Sequence, residues 1–137
     1  MQANLILTLK QLNLSLERYG REKMKSIGLS PAQGMTLHYL FARKGQPVYA
    51  VELHMDIGIS KSSVSATLKS LKRDGYIRLE ENPSDDRKKQ IVLTDKARDV
   101  EKMLDACMLS QQERLCRSIP QKRLEQMRGD LEIMLSN

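Results

Sequence analysis

The sequence has few aromatic residues from which to build a core. Phenylalanine and tyrosine together make up 4% of the 137 residues, and tryptophan is absent. Since 40% of the residues are hydrophobic, the chain can still bury a core, which must consist mainly of leucine, isoleucine, valine and methionine. A chain of this length suits one compact domain.

Long apolar runs are also absent. No stretch of about 18 consecutive apolar residues occurs, so no membrane span is predicted. The first residues, MQANLILTLKQLNL, have no basic segment ahead of their apolar residues and do not resemble a signal peptide. We therefore expect a cytoplasmic protein, in which cysteines normally stay reduced.

The two cysteines and two histidines form no recognisable disulfide or metal-binding pattern. Cys107 and Cys116 lie on one predicted helix. They are about 13.5 Å apart along its axis, too far for a disulfide bond within the chain. A bridge between two copies of the chain remains open. His38 and His54 are widely separated and no Cys-x-x-Cys motif occurs, so we expect no metal site and no cofactor.

Motifs of common enzyme classes are missing as well. The sequence has no glycine-rich phosphate-binding loop, no nucleophile elbow and no paired acidic motif. A Ser-His-Asp arrangement would leave no such motif, but nothing in the sequence points to one. The sequence therefore predicts a protein that is not an enzyme.

Positive charge is what the sequence has in excess. The formal net charge is +6 and the pI about 9.4. Between residues 60 and 98, ten lysines and arginines stand against six aspartates and glutamates. Locally basic segments attract polyanions, most often nucleic acid, although a soluble protein can also be basic without such a partner.

Apolar residues recur at helical spacing at both ends of the chain. A first helix, running until Gly28, is predicted from three- and four-residue steps between Leu5, Leu9, Leu12, Leu16 and Tyr19. Ser30 and Pro31 provide an N-cap and a proline at the first position of a second helix, which stops near Gly45. Two further helices are predicted from Asp95 and from Pro120.

A helix-turn-helix is predicted in the middle of the chain. A short helix fits Ala50 to Ile57, Gly58 can end it, and Ser60 can cap the next helix. This next helix lies in the segment SKSSVSATLKSLKRDGYI at residues 60–77. Its apolar stripe is Val64, Leu68 and Leu71. The opposite face holds small, hydroxylated and basic residues, namely Ser62, Ala66, Lys69 and Arg73, with Ser63 and Ser65 on its flanks.

Two alternating runs follow this helix and predict a β-hairpin. Ile77 and Leu79 alternate with charged residues, and Ile91 and Leu93 alternate with polar ones. The Asn-Pro-Ser-Asp-Asp segment between the runs predicts a long polar tip. A hairpin that follows a recognition-type helix is the wing of a winged helix.

These motifs resemble the MarR family of bacterial transcription regulators. The segments ISKSSVSATLKSLKRDGY at 59–76, NPSDDR at 82–87 and IVLTDKA at 91–97 resemble the recognition helix, the wing and the return strand with the start of the long helix. Two positions depart from the family pattern. Ala97 stands where glycine is usual, and Ala66 stands where an arginine or another long side chain often makes a DNA contact.

The resemblance implies a mainly α fold in a single domain of residues 1–137. Residues 30–97 would form a winged helix-turn-helix with a two-stranded β-wing, and the helices at 1–28 and 98–137 would form a dimerisation region. The apolar stripes at Leu5–Tyr19 and Leu124–Met134 have no other obvious partner, which favours a homodimer. The alternative is that both stripes fold back on their own domain.

The resemblance also implies sequence-specific binding to double-stranded DNA at a pseudo-palindromic operator, most often as a repressor. The expected DNA contacts are Ser62, Ser63, Ser65, Ala66, Lys69 and Arg73 on the recognition helix and Arg87, Lys88 and Lys89 on the wing. Asp85 would orient Arg87 toward the minor groove. Any single serine can instead be a cap or a solvated residue, and for Ser60 the cap is favoured.

Many family members bind a small aromatic or phenolic effector between the dimer core and the winged helix, which releases DNA. Tyr19, His38 and Tyr39 lie where such a pocket would form, or they are ordinary core or interface residues. Two other interpretations stay open. One is a non-specific nucleoid-type DNA binder, and the other is a winged helix that serves as a protein-interaction module.

Overall fold

A computed structural model describes residues 4–82 and 84–137, and the side chains of residues 82 and 85–87 lie outside this description. The helices are α1 (Leu5–Met24), α2 (Pro31–Ala42), α3 (Ala50–Ile57), α4 (Lys61–Arg73), α5 (Asp95–Leu115) and α6 (Gln121–Ser136). A 3-10 turn at Lys25–Ile27 follows α1. The strands are β1 (Val48–Tyr49), β2 (Ile77–Asn82) and β3 (Asp85–Leu93). The expected mainly α, winged-helix class is confirmed.

Helix boundaries follow local capping chemistry. Ser30 and Gln33 form a reciprocal capping box at the start of α2, where Pro31 takes the first helical position. The Ser60 side chain accepts from the Ser63 backbone N–H at the start of α4. Gly58 ends α3 at a φ of 79°, a left-handed conformation that glycine adopts without strain. These boundaries agree with the sequence predictions.

The sheet differs from the predicted hairpin in two respects. Strands β2 and β3 pair antiparallel, with Leu79 opposite Ile91, but β1 adds a third strand on the other side of β3, with Val48 opposite Ile91. The predicted long polar tip is wrong, since only residues 83 and 84 separate the two strands. Ladder hydrogen bonds join backbone groups, so polar side chains do not stop the pairing.

The core lies inside the winged helix and extends onto the first half of α5. It consists mainly of aliphatic side chains, as the composition requires. Leu37, Leu71 and Leu104 come from three different helices and are fully buried. Ala97, at the position where glycine is usual, is also fully buried. The stripe predicted for α4, Val64, Leu68 and Leu71, faces this core.

The apolar stripes of α1 and α6 remain exposed in the protomer. The N-terminal part of α1 exposes Leu5, Ile6, Leu7, Leu9, Leu12 and Leu14. In α6 no residue is buried, and its exposed apolar residues include Met127, Leu131, Ile133, Met134 and Leu135. Among the described residues, α6 packs extensively against no other element. In the protomer, the N-terminal part of α1 and helix α6 therefore do not fold back on the described domain, whereas Leu16 and Tyr19 of the α1 stripe are half-buried.

No helix in the described part of the chain is long and apolar enough to cross a membrane.

Candidate nucleic-acid interface

The exposed face of α4 brings together the residues that were predicted to read DNA. Helix α4 buries its apolar stripe against α2, α3 and β2, which leaves the opposite face open. All the predicted residues of that face are exposed: Ser62, Ser63, Ser65, Ala66, Lys69 and Arg73. Lys61 is also exposed at the first position of the helix, and sequence periodicity alone did not single it out.

Three serine hydroxyls at the start of α4 form a connected hydrogen-bond network. Ser60 Oγ donates to Ser63 Oγ at 2.9 Å and also lies 3.1 Å from Ser62 Oγ. Since a hydroxyl carries one proton, Ser62 must be the donor in the second contact. The Ser63 hydroxyl then has no acceptor for its proton in the part of the chain that the structure describes, while Ser62 Oγ can still accept. The expectation that Ser60 is a cap is confirmed, since its Oγ accepts from the backbone of Ser63.

At the C-terminal end of α4, Arg73 forms a salt bridge with Asp74. Arg73 Nε donates to Asp74 Oδ1 at 3.2 Å, while the arginine side chain stays 74% exposed. This hydrogen bond holds the pKa of Asp74 below its ordinary value, and contacts with Gln33 and Lys96 act in the same direction. Asp74 therefore carries its negative charge at neutral pH and can hold the Arg73 guanidinium.

The wing places two of its predicted basic residues at the surface. Lys88 and Lys89 are exposed on β3, and Lys88 Nζ lies 5.8 Å from the centre of the Tyr49 ring. The side chains of Arg87 and Asp85 lie outside the described residues. The orienting role of Asp85 therefore stays a prediction.

Comparisons with known proteins agree with this geometry. The sequence model of the MarR family matches residues 27–88. The S. aureus MepR–DNA complex is 21% identical, with a TM-score of 0.85 over 98% of each chain. A putative MarR family transcriptional regulator from Listeria monocytogenes, complexed with a 26mer DNA, is 14% identical. Its TM-score is 0.88 over 99% of this chain and 89% of its own.

The chain has the MarR fold. A MarR transcriptional regulator from Methanosarcina mazei Go1 has a TM-score of 0.82 at 22% identity, over 95% of this chain and 92% of its own. No curated protein sequence matches the chain. The resemblance stated from the motifs is confirmed, and the expectation of a protein that is not an enzyme agrees with the MarR family, whose members are transcription regulators.

A cavity of about 710 Å³ lies beside the MarR winged helix, between α1, α2, the α3–α4 turn and α5. Its walls are largely thioether and aliphatic, and they include Met24, Met35 and Met108. His38 lines the cavity. Its Nδ1 atom is buried and has no hydrogen-bond partner among the described residues, and it lies 3.9 Å from Asp105 Oδ1. The position suits a small molecule that would contact both α5 and the turn leading into α4.

Tyr19 and Tyr39 do not share this cavity with His38. The Tyr39 hydroxyl donates to Asp56, and burial together with that contact raises its pKa. The Tyr19 hydroxyl lies 3.2 Å from Ser110 Oγ, which lowers its pKa, and Arg114 stacks 4.1 Å from its ring centre. Sequence spacing placed the three residues on neighbouring helices but could not show which face each side chain takes.

The two cysteines are free thiols, and Cys107 Sγ lies 3.6 Å from the Lys23 carbonyl oxygen. Within residues 4–82 and 84–137, no group of three or more histidine, cysteine or acidic side chains could hold a metal ion.

Proposed function

We propose that the protein is a cytoplasmic, sequence-specific DNA-binding transcriptional regulator. The observation that carries this proposal is the exposed face of α4, with serine hydroxyls at its front and Lys69 and Arg73 behind them. Short hydroxylated side chains let a helix approach base edges closely, and the cations can reach guanine edges or phosphates. Two proteins of the same fold are bound to DNA in their structures, which supports this use of the surface.

The protein acts as a homodimer on a pseudo-palindromic operator. The exposed apolar stripes of α1 and α6 support this, since soluble monomers rarely expose contiguous apolar surface of that extent. A two-fold axis through these helices would carry two copies of α4 into successive major grooves, about 34–36 Å apart. The wings would lie over the flanking minor grooves, where narrow A·T-rich stretches attract basic side chains such as Arg87.

The regulator is a repressor whose DNA binding responds to a small aromatic effector. The cavity at His38 supports this, because it is walled on one side by the dimerisation helices and on the other by the turn that leads into α4. A molecule bound there would favour one position of the winged helix over another. The distance between the two α4 helices of the dimer would then change. A dimer with the wrong spacing would release its operator.

The test is binding of the purified protein to a duplex from upstream of its own gene, compared with a scrambled duplex of equal composition. Both titrations are run at about 0.15 M salt, because phosphate contacts alone mimic specificity at low salt. We expect a preference of about a thousandfold or more for the upstream duplex. Equal binding would indicate a nucleoid-type protein, and binding to neither duplex would indicate a protein-interaction module.

A further inference from the structure

Gln33 connects the interior of the winged helix to the basic end of α4. It lies on α2, is 7% exposed, and its Nε2 group donates to Ser70 Oγ at 3.0 Å and to Asp74 Oδ2 at 3.4 Å. The other side-chain atom, Oε1, accepts from the Ser30 backbone N–H at 2.9 Å. A flipped amide would set its oxygen against the Asp74 carboxylate. Only one orientation therefore satisfies all three contacts.

Asp74 in turn joins Gln33 to Arg73 through its two carboxylate oxygens. Oδ2 faces Gln33, while Oδ1 accepts from Arg73 Nε at 3.2 Å. Lys96 donates to the backbone oxygen of Asp74, and Thr94 Oγ1 donates to that of Gly75 at 2.6 Å, so the exit of α4 is also tied to α5. An unpaired carboxylate on this face would repel DNA. The pairing with Arg73 offsets the negative charge of Asp74.

We propose that Gln33 is a positioning residue for DNA binding, which holds Asp74 so that the Arg73 guanidinium is fixed through Nε with its terminal nitrogens free for a backbone phosphate. The inference rests on the proposed DNA contact of Arg73. Fixing a long side chain before binding removes an ordering cost, equivalent to about two- to tenfold in Kd per site. An arginine held at Nε still offers donors from both terminal nitrogens.

The variant Gln33→Glu tests this role with little change in shape. Glutamate retains the acceptor of the capping box, so α2 keeps its N-terminal cap. The donor that faces Asp74 is replaced by a carboxylate oxygen, which repels Asp74. We expect operator affinity to fall about tenfold. The salt dependence of binding should flatten toward that of Arg73→Ala, because one phosphate contact is lost from each protomer.

The double variant Gln33→Glu with Asp74→Asn restores the contact at position 74 with its polarity reversed, and Ser70 Oγ would donate to the glutamate instead of to the Thr67 carbonyl. The asparagine amide would donate to the introduced glutamate, and its oxygen would accept from Arg73 Nε, at the net charge of the wild type. We expect affinity to return to within about twofold of wild type. If Gln33→Glu fails to fold, this double variant still tests the proposal, since an affinity as low as that of Arg73→Ala would overturn it.

Further variants separate the inference from the proposed function. If the wild type binds no operator, or Arg73→Ala binds it as tightly as wild type, the proposed DNA contact fails and the inference fails with it. If Arg73→Ala weakens binding but Gln33→Glu does not, only the inference is overturned. In the Arg73→Ala background, Gln33→Glu should cause no further loss. A full additional loss would mean that Gln33 acts by another route.

Gln46→Glu provides a matched control. Gln46 is exposed in the loop between α2 and β1, and a glutamate there introduces the same charge change away from Asp74. We expect wild-type affinity and an unchanged salt dependence. A loss equal to that of Gln33→Glu would attribute the effect to overall charge and overturn the inference.

Discussion

At the scale of single residues, the serines at the start of α4 have different roles although their side chains are identical. Ser60 caps the helix through its Oγ, so its hydroxyl is committed to the backbone and to its neighbours. Ser63 Oγ accepts a hydrogen bond from Ser60, so the Ser63 hydroxyl can still donate to another group. The same residue type therefore serves helix stability at one position and, in the proposed function, DNA recognition at another.

Substitution of these two serines should separate the tasks. We expect Ser60→Ala to cost about 1 kcal/mol in the free energy of unfolding, because the cap of α4 is lost. Ser63→Ala should leave that stability unchanged and weaken operator binding by about two- to tenfold, the value of one hydrogen bond. Urea unfolding and operator titration measure the two effects. A Ser63→Ala protein with wild-type affinity would show that its hydroxyl does not contact DNA.

At the scale of elements, local chemistry made the helices of the winged region predictable, and long-range pairing limited the rest. The end of α3 at Gly58 and the caps at Ser30 and Ser60 depend on the local backbone and on groups within three residues of each other. The contact of Gln33 with Asp74 joins residues 41 positions apart. The sequence around Gln33 or Asp74 contains no motif that predicts this contact. The third strand, β1, likewise depends on a distant partner, β3.

The face of α4 was predictable for a further reason. A helix with one apolar stripe places its polar residues on the opposite side by geometry alone, so the exposed set could be read from spacing. The cavity was not predictable in this way. Tyr19 and Tyr39 are aromatic and lie on helices that line the cavity. Their hydroxyls, however, contact Ser110 and Asp56 respectively, which the spacing of residues in the sequence does not reveal.

The wing is an element whose proposed contribution to DNA binding is electrostatic. We expect Arg87→Ala to weaken binding to operator and to unrelated duplexes alike, and to reduce the salt slope by about one per protomer. Titrations of both duplexes at several salt concentrations measure this effect. The matched change Arg78→Ala removes an exposed arginine of β2 that lies 3.6 Å from Glu80, and it should have a smaller effect. An unchanged Arg87→Ala affinity would remove the wing arginine from the proposed interface.

At the scale of the whole molecule, the exposed stripes of α1 and α6 predict assembly. We expect a dimer at micromolar concentration in sedimentation. Leu131→Glu should shift the mass toward the monomer and weaken operator binding, because it places a charge in the apolar face of α6. Glu125→Gln provides a control on the same helix. A wild-type protein that sediments as a monomer would contradict the proposed dimer.

Helix α2 contacts both the cavity and the DNA-binding helix α4, so it can couple ligand binding to operator binding. It lines the cavity through Ala32, Met35 and His38. Gln33 on the same helix donates hydrogen bonds to the C-terminal end of α4. If a cavity ligand weakens operator binding by some factor, thermodynamic linkage requires the operator to weaken that ligand's binding by the same factor. The amount of operator DNA in the cell would then set the apparent sensitivity to the effector, so a protein saturated with operator would respond only at higher effector concentrations.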